Sequence, residues 1–285
     1  LPILYFSGTD TICYGASTTL SVYGANSYQW SPASGLNVSN AASVIASPLL
    51  TTVYTVTGTQ LGCSNTNSVT VEVTPLPVLT TSPDITICTG ESASLHCSGA
   101  STLQWSPSTG LNTSTGSHVQ ATPVLSQVYT VTGTSNNCQN SAAIEVTVIP
   151  VPELVLSPDQ LICFGSSVSL SAQGAAGFSW RPVLGLNSDT GSIVLASPSS
   201  STTYTVTGIS AGCSDTASVT VGIKPLPQVV VCNDTSICQG QTANLVAGGA
   251  SSYSWVPIEQ LMSSVGERVV AIPDQTTTYI VTGRS

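Results

Sequence analysis

Nine cysteines are the residues of this 285-residue chain whose type and spacing allow covalent chemistry. Four of them recur at one constant interval, at Cys13, Cys88, Cys163 and Cys238. Three more follow the first three at a second, shorter constant interval, at Cys63, Cys138 and Cys213. Cysteines in a fixed register are typical of disulfides, and disulfides persist in secreted and surface proteins. The spacing therefore predicts an oxidising compartment, extracellular or at the cell surface.

We predict that each of these disulfides closes within one repeat. The predicted pairs are Cys13–Cys63, Cys88–Cys138 and Cys163–Cys213. Each bond would tie the start of a repeat to its final hairpin, and closing a loop of that length stabilises a fold by roughly 4 kcal/mol. A repeat this short buries only a modest core, so such a bond would matter for its stability.

Three cysteines remain without a predicted partner in this register. Cys97 falls at an inward position of the second strand, where the other copies carry Val or Ala, so a buried thiol acting as a small hydrophobe is expected. Cys232 falls near a strand end, where exposure is expected. It could pair with Cys238, or it could crosslink two chains.

Histidines and carboxylates are the other candidates for site chemistry. The two histidines, His96 and His118, fall on outward strand positions, and a metal site needs several converging ligands. One acid recurs near the second half of the first strand in each copy, at Asp10, Asp84, Asp159 and Asp234. These acids could help to hold Ca²⁺ at module junctions, but one acid per site favours a turn-forming role. No copy carries a nucleophile, base and acid together, so we predict no catalytic residue, no metal site and no cofactor.

The elements that must position these residues repeat with the cysteines. One Trp and one Tyr keep the same register in every copy, at Trp30, Trp105, Trp180, Trp255, Tyr54, Tyr129, Tyr204 and Tyr279. We predict four modules, with bounds 1–75, 76–150, 151–225 and 226–285. The fourth copy ends before its last strand and second cysteine. We therefore expect the natural polypeptide to continue, or another chain to donate that strand.

Alternating apolar and polar residues predict strands within each module. Leu20 and Val22 share one face of the second strand, and Tyr28 and Trp30 share one face of the third. Further strands are predicted at 3–6, 11–13, 44–46, 54–58 and 69–73. About seven short strands favour an immunoglobulin-like β-sandwich, in which the recurring Trp and Tyr would be core residues. The Pro-x-Pro motif at each junction holds the backbone extended, which predicts a rod-like array.

Composition excludes several classes of function. Thirteen acidic residues stand against four Lys and Arg, whereas nucleic-acid binding depends on basic residues. The chain has no polybasic or amphipathic stretch for a membrane surface and no apolar run of the roughly 20 residues that a spanning helix needs. Its hydrophobic fraction of 41% is enough to build cores despite only 6% charged residues.

A run of short motifs recurs along the chain, and the fourth copy departs from it at Trp255-Val-Pro257-Ile-Glu-Gln-Leu-Met262. In the second it reads Cys88-Thr-Gly90-Glu-Ser92, then Trp105-Ser-Pro107-Ser-Thr-Gly110-Leu-Asn112, then Ala121-Thr-Pro123 and Tyr129-Thr-Val-Thr-Gly133. This run resembles the Ig-like tandem repeats of giant Bacteroidota cell-surface adhesins exported by the type IX secretion system, such as SprB-like gliding-motility adhesins. Asp10-Thr11-Ile12 and Asp215-Thr216-Ala217 resemble the short O-glycosylation signal of that phylum, which implies modification of Thr11 and Thr216.

The sequence leads to one principal functional hypothesis and two alternatives. The principal one is a non-catalytic structural and adhesive segment of a large surface protein or filament, attached to the outer membrane. Its partners would be extracellular surfaces, polysaccharides or further copies of itself. The first alternative is a set of spacer or carbohydrate-binding modules of a secreted hydrolase. The second is a fibre subunit that polymerises by strand donation.

Overall fold

The computed structural model describes residues 1–8 and 10–285, and every regular element in this part of the chain is a β-strand. The chain divides into two compact units, Leu1–Pro150 and Val151–Ser285, each of which holds two repeats. The described residues include no helix long and apolar enough to cross a membrane. Four separate core clusters are present, one in each repeat.

The first module contains seven strands in two sheets. They are β1 (Tyr5–Ser7), β2 (Thr11–Cys13), β3 (Thr18–Tyr23), β4 (Ser27–Ser31), β5 (Ser43–Ala46), β6 (Thr52–Gln60) and β7 (Cys63–Thr74). One sheet has the order β1-β3-β5 and the other the order β2-β7-β6-β4. The pairs are antiparallel except β2 and β7, which are parallel. The first strand is split between the two sheets, and the arrangement is the Ig-like sandwich that the alternation predicted.

The second and third modules repeat this topology. The second contains β8 (Thr80–Thr81), β9 (Ile85–Cys88), β10 (Ala93–Ser98), β11 (Thr102–Ser106), β12 (His118–Ala121), β13 (Gln127–Ser135) and β14 (Cys138–Ile149). The third contains β15 (Val155–Leu156), β16 (Gln160–Cys163), β17 (Val168–Gln173), β18 (Gly177–Arg181), β19 (Ile193–Ala196), β20 (Thr202–Ser210) and β21 (Cys213–Lys224). The sheets β12-β10-β8 and β15-β17-β19 correspond to the first sheet, and β11-β13-β14-β9 and β16-β21-β20-β18 to the second.

The fourth repeat has fewer strands. Residues 226–285 contain β22 (Val230–Val231), β23 (Ala243–Gly248), β24 (Ser252–Val256), β25 (Arg268–Ala271) and β26 (Ile280–Arg284). They form the sheets β22-β23-β25 and β24-β26. The segment that corresponds to β2, residues 236–238, is not a strand. In the other modules this segment forms a strand because it pairs with the last long strand, which is β7, β14 or β21. Residues 226–285 contain no strand equivalent to β7.

Alternation along the strands places the predicted residues in the core. Leu20 and Val22 are buried on β3, and Trp30 is buried on β4 beside the half-buried Tyr28. The core position of the recurring aromatics is confirmed for Trp30, Trp105, Trp180, Trp255, Tyr54, Tyr129 and Tyr204. Tyr279 is only half-buried, in the repeat that lacks the long strand pair.

The buried aromatics anchor the segment that directly follows the Trp-bearing strand, which is β4, β11, β18 or β24. Trp105 Nε1 donates a hydrogen bond to Gly116 O at 2.9 Å, and the Trp residues of the other copies bond in the same way. The Tyr129 hydroxyl donates to Thr109 O at 2.9 Å, and Tyr54 and Tyr204 make the equivalent bond. Burial raises the pKa of these three tyrosine hydroxyls.

The fourth repeat supplies a control for this tyrosine bond. We expect Tyr129→Phe to lower the free energy of unfolding of the second module by about 1–2 kcal/mol, because Thr109 O loses its donor. The Tyr279 hydroxyl is buried and has no hydrogen-bond partner among the described residues. Tyr279→Phe should therefore change the stability of its repeat by less than about 0.5 kcal/mol. Hydrogen exchange resolved by module measures both, and equal losses at the two positions would contradict the assignment.

The segment between β4 and β5, residues 32–42, covers a free edge of both sheets. Trp30 N on β4 donates to Ser39 O at 2.7 Å. On β5, Ile45 N donates to Asn37 Oδ1 at 2.8 Å and Ile45 O accepts from Asn37 N at 3.0 Å. Asn112 and Asn187 accept the same bond in the next two modules. Covered edges are closed to pairing with other chains. The strand-donation alternative concerns the fourth repeat, whose sheet β24-β26 contains no last long strand, and it stays a prediction.

Candidate functional site: the module junction

At the junction between the first two modules, the end of β2 lies beside the end of β7, the last strand of the first module. Cys13, the last residue of β2, pairs in register with Thr74, the last residue of β7. Tyr14 N then donates to Thr74 O at 2.9 Å. Because β2 and β7 are parallel, both strands end at the same edge of the module. The first cysteine therefore lies at the exit of the module, where the chain leaves toward Pro75.

The second cysteine lies at the opposite end of the same module. Cys63 begins β7, and Thr74 ends it. A strand rises about 3.3 Å per residue, so the Cα atoms of these two residues are about 36 Å apart. A disulfide requires a Cα–Cα distance below about 7 Å. The same geometry recurs in the next two modules, so the predicted intramodule pairs Cys13–Cys63, Cys88–Cys138 and Cys163–Cys213 are wrong.

Cys13 is bonded instead to Cys138 of the second module. The Cα atoms of the pair are 5.5 Å apart, although the two cysteines are distant in sequence. Cys138 is buried, and its Sγ lies 4.0 Å from Thr74 O. Cys13 Sγ lies 3.8 Å from Asn137 O. Disulfide sulfurs carry no proton, so these are packing contacts between the exit of the first module and the last hairpin of the second.

The cysteines at equivalent positions divide into bonded and free. Cys88 and Cys213 are disulfide-bonded as well, and they occupy the positions in the second and third modules that Cys13 and Cys138 occupy in the first and second. Cys63 and Cys163 are exposed thiols. The register of the cysteines thus predicted that disulfides form, but it predicted neither which cysteines pair nor that Cys63 and Cys163 are free.

The three cysteines without a predicted partner are free thiols. Cys97 is buried on β10, as its alignment predicted, and burial raises the pKa of its thiol. Cys232 and Cys238 are both exposed and unbonded. The alternative in which Cys232 pairs with Cys238 is therefore wrong, and crosslinking of two chains through Cys232 stays a prediction.

A two-residue turn presents Cys138 to the first module. Asn136 and Asn137 join β13 to β14 with φ values of 49° and 63°. Two successive positive φ values are typical of the type I′ turn, whose twist matches that of a hairpin. Asn adopts this left-handed conformation more readily than most residues. The pair of asparagines was a signal for this hairpin in the sequence, although it could not show what the hairpin touches.

The chain that enters the second module is held by close contacts. Pro77 O accepts a hydrogen bond from Asn140 Nδ2 at 3.0 Å. Val78 O passes so near Gly99 that a Cβ on this glycine would lie 1.8 Å from it. Leu79 packs on Gly133, where a Cβ would lie 2.5 Å from Leu79 Cδ2. Gly99 was not singled out in the sequence, because close approach of two backbones leaves no mark except glycine itself.

The recurring acids make a structural contact. Asp84 Oδ1 accepts a hydrogen bond from Glu145 N, and Asp159 Oδ1 accepts one from Thr220 N, each at 2.8 Å. Each carboxylate thus ties the entry of the split first strand to the last strand of its module. Among residues 1–8 and 10–285 no three His, Cys, Asp or Glu side chains are grouped so that they could hold a metal ion. The absence of a cofactor stays a prediction, and Ca²⁺ at the module junctions stays the untested alternative.

The predicted O-glycosylation positions and several aromatic and histidine side chains lie at the surface. Thr11 and Thr216, the predicted O-glycosylation positions, are exposed. His96 is half-buried and His118 is exposed, on paired strands. Tyr5 and Tyr23 are paired in register on β1 and β3, and both side chains are more than half exposed.

Comparison with known proteins finds weak likenesses to structures of Ig domains. No protein-family profile matches the chain, and no curated protein matches it. A three-Ig fragment of titin with glutamate-to-alanine mutations is 14% identical, with a TM-score of 0.42, and the match covers 78% of this chain and 99% of the fragment. Extracellular domains 3–5 of Drosophila OTK are 14% identical over 75% of this chain and 93% of that one, with a TM-score of 0.33.

A longer structure matches the whole chain. The N-terminal eight Ig domains of Down Syndrome Cell Adhesion Molecule are 14% identical over 100% of this chain, with a TM-score of 0.34. This chain spans 55% of that structure's length. Because the identities are 14% and the TM-scores lie below 0.5, these likenesses carry no argument about function. The Ig-like class rests on the strand order described above.

Proposed function

We propose that this chain is a structural and adhesive, non-catalytic segment of a large bacterial surface protein. The observation that carries the proposal is the bond between Cys13 and Cys138. It gives the junction of the first two modules a second covalent connection beside the Pro75–Pro77 linker. A load applied on either side of this bond passes through it and bypasses residues 14–137. Such a connection suits a protein that has to bear tension.

The finer assignment is a gliding-type adhesin of Bacteroidota, exported by the type IX secretion system and held at the outer membrane. The motif run from Cys88 to Gly133 supports it, as do disulfides, which persist outside the reducing cytoplasm. Many modules in series would multiply weak contacts with a surface through avidity.

A second candidate function is polysaccharide binding, and one observation favours it. Tyr5 and Tyr23 lie opposite each other on the outer face of the first module and expose 63% and 58% of their surface. Exposed aromatic side chains supply rigid, amphipathic contact area at low entropy cost, which is typical of binding surfaces. The equivalent residues of the second module, Thr80 and Ser98, are small and polar.

One experiment with three variants of the parent protein tests these proposals. In the first the repeats are deleted, in the second they are replaced by the same number of unrelated Ig modules, and in the third Tyr5→Thr and Tyr23→Ser are introduced. Attachment of cells to glass and to polysaccharide is measured under flow.

We expect deletion to abolish attachment and the unrelated modules to restore only part of it. Full attachment after deletion would overturn the structural and adhesive proposal. Full restoration by unrelated modules would leave a spacer role and remove the adhesive one. Loss of polysaccharide attachment in the tyrosine variant alone would support the second candidate, and unchanged attachment would remove it.

A further inference from the structure

The only two histidines of the chain lie directly opposite one another on the second module. His96 belongs to β10 and His118 to β12, on the face turned away from the core. The next pair of opposite residues, Cys97 and Ser117, is hydrogen-bonded, since Cys97 N donates to Ser117 O at 2.9 Å. Hydrogen-bonded and non-hydrogen-bonded pairs alternate along antiparallel strands. The histidines therefore form a non-hydrogen-bonded pair, the kind in which opposite side chains come closest. Their ring centroids are 4.4 Å apart, with 54° between the ring planes.

We propose that His96 and His118 form a two-histidine site for a divalent transition-metal ion, with Cu²⁺ as the preferred metal. Imidazole nitrogens bind such ions at about 2.0 Å, which places two rings bound at a right angle with centroids roughly 4.5 Å apart. The observed 4.4 Å agrees with that arrangement. Cu²⁺ prefers tetragonal geometry and binds nitrogen ligands more tightly than the other divalent metals of its row.

The surroundings of the pair leave one nitrogen of His118 available. His118 Nδ1 lies 3.1 Å from Ser117 Oγ. In the tautomer whose Nδ1–H donates this hydrogen bond, Nε2 carries no proton and is the nitrogen that can bind the metal. A histidine that binds a metal generally uses its other ring nitrogen in such a bond, which sets the orientation of the ring. His96 N donates to Ser82 Oγ at 3.2 Å, which ties the central strand of the three to its other neighbour. Two protein ligands leave open coordination positions that water or an oxygen of a second molecule can take.

The first module supplies a matched reference for this site. At the equivalent positions it carries Ser21 and Ser43, whose hydroxyl oxygens are 3.0 Å apart. The same fold therefore accepts serine at both positions. His96→Ser and His118→Ser remove one ligand each without introducing a residue that the fold does not already carry there.

The test is titration of the full 285-residue chain with CuCl₂, followed by calorimetry and electron paramagnetic resonance. The exposed thiols are first alkylated, because thiolates also bind soft metal ions; they are Cys63, Cys163, Cys232 and Cys238. We expect one Cu²⁺ per chain that the double variant does not bind. Each single variant should bind it at least about tenfold more weakly, because two linked ligands act together.

A second readout separates metal binding from general effects on the fold. With Cu²⁺ at about 100 times its Kd, amide exchange that requires separation of β10 from β12 should slow about 100-fold, with no change in β3 and β5 of the first module. Equal affinity in the wild-type chain and the single variants would overturn the proposal. The proposal would also be overturned if the double variant still bound one Cu²⁺ per chain while the amides of β13 and β14 kept their protection from exchange, which shows that the module is folded.

Discussion

A chain cut between Pro75 and Leu76 stays in one piece until a reductant is added. A protease site inserted at this position would divide the protein into residues 1–75 and 76–285. If Cys13 is bonded to Cys138, the two pieces migrate together on a denaturing gel without reductant and separate with it. Intramodule pairs would give two separate bands under both conditions. The effect is all-or-none, because the bond is the only covalent connection left after the cut.

Single substitutions provide the controls for this experiment. Cys13→Ser and Cys138→Ser should each give two bands without reductant. Cys63→Ser should behave as the wild-type chain does, because Cys63 is an exposed thiol without a disulfide. Two bands from the cleaved wild-type chain, with Cys63 protected from alkylation, would contradict the pairing.

Gly99→Ala should prevent the second module from folding. Gly99 has a φ of 103°, and a Cβ at this position would lie 1.8 Å from Val78 O. The obstacle is backbone, so no side-chain rotation relieves it, and the segment that enters the module would have to move away. We expect a loss of more than about 4 kcal/mol, which is comparable to the whole stability of a small domain. Hydrogen exchange resolved by module should show loss of protection in β10–β14.

Gly90→Ala is the matched control for this substitution. Gly90 has a similar φ of 90°, but no atom lies within 4 Å of the position that its Cβ would take. Only the strain of the left-handed conformation remains, which costs about 1–2 kcal/mol. The difference between the two variants measures the clash alone. Equal effects would show that Val78 can shift without loss of the fold.

Much of each module could be predicted from the sequence because strands have a period of two. The alternation at Leu20 and Val22 placed both residues in the core, and the fixed positions of the Trp residues identified the other core anchor. The split first strand was also predicted, with its second half at Thr11–Cys13 as observed. These features depend on neighbours in sequence and on burial, both of which a repeat displays directly.

The disulfide pairs could not be predicted in the same way. The constant interval from Cys13 to Cys63 and its counterparts shows that two cysteines belong to one repeat, but it does not show which ends of the module they occupy. That depends on β2 being parallel to β7, which places Cys13 beside Thr74 instead of Cys63. The histidine pair was missed for a similar reason. His96 and His118 are well separated in sequence, and only the register of β10 with β12 brings them together.

The distance between Cys13 and Cys63 also has a consequence for the order of events during biogenesis. Cys63 is the first cysteine to follow Cys13 in the sequence, so an unfolded nascent chain offers the wrong partner first. Once β7 has formed, its length holds the two thiols about 36 Å apart and leaves Cys13 reduced until the second module arrives. Correct oxidation thus requires each module to fold first. An oxidase that acts too early would trap the 13–63 isomer, and a disulfide isomerase would be needed to release it.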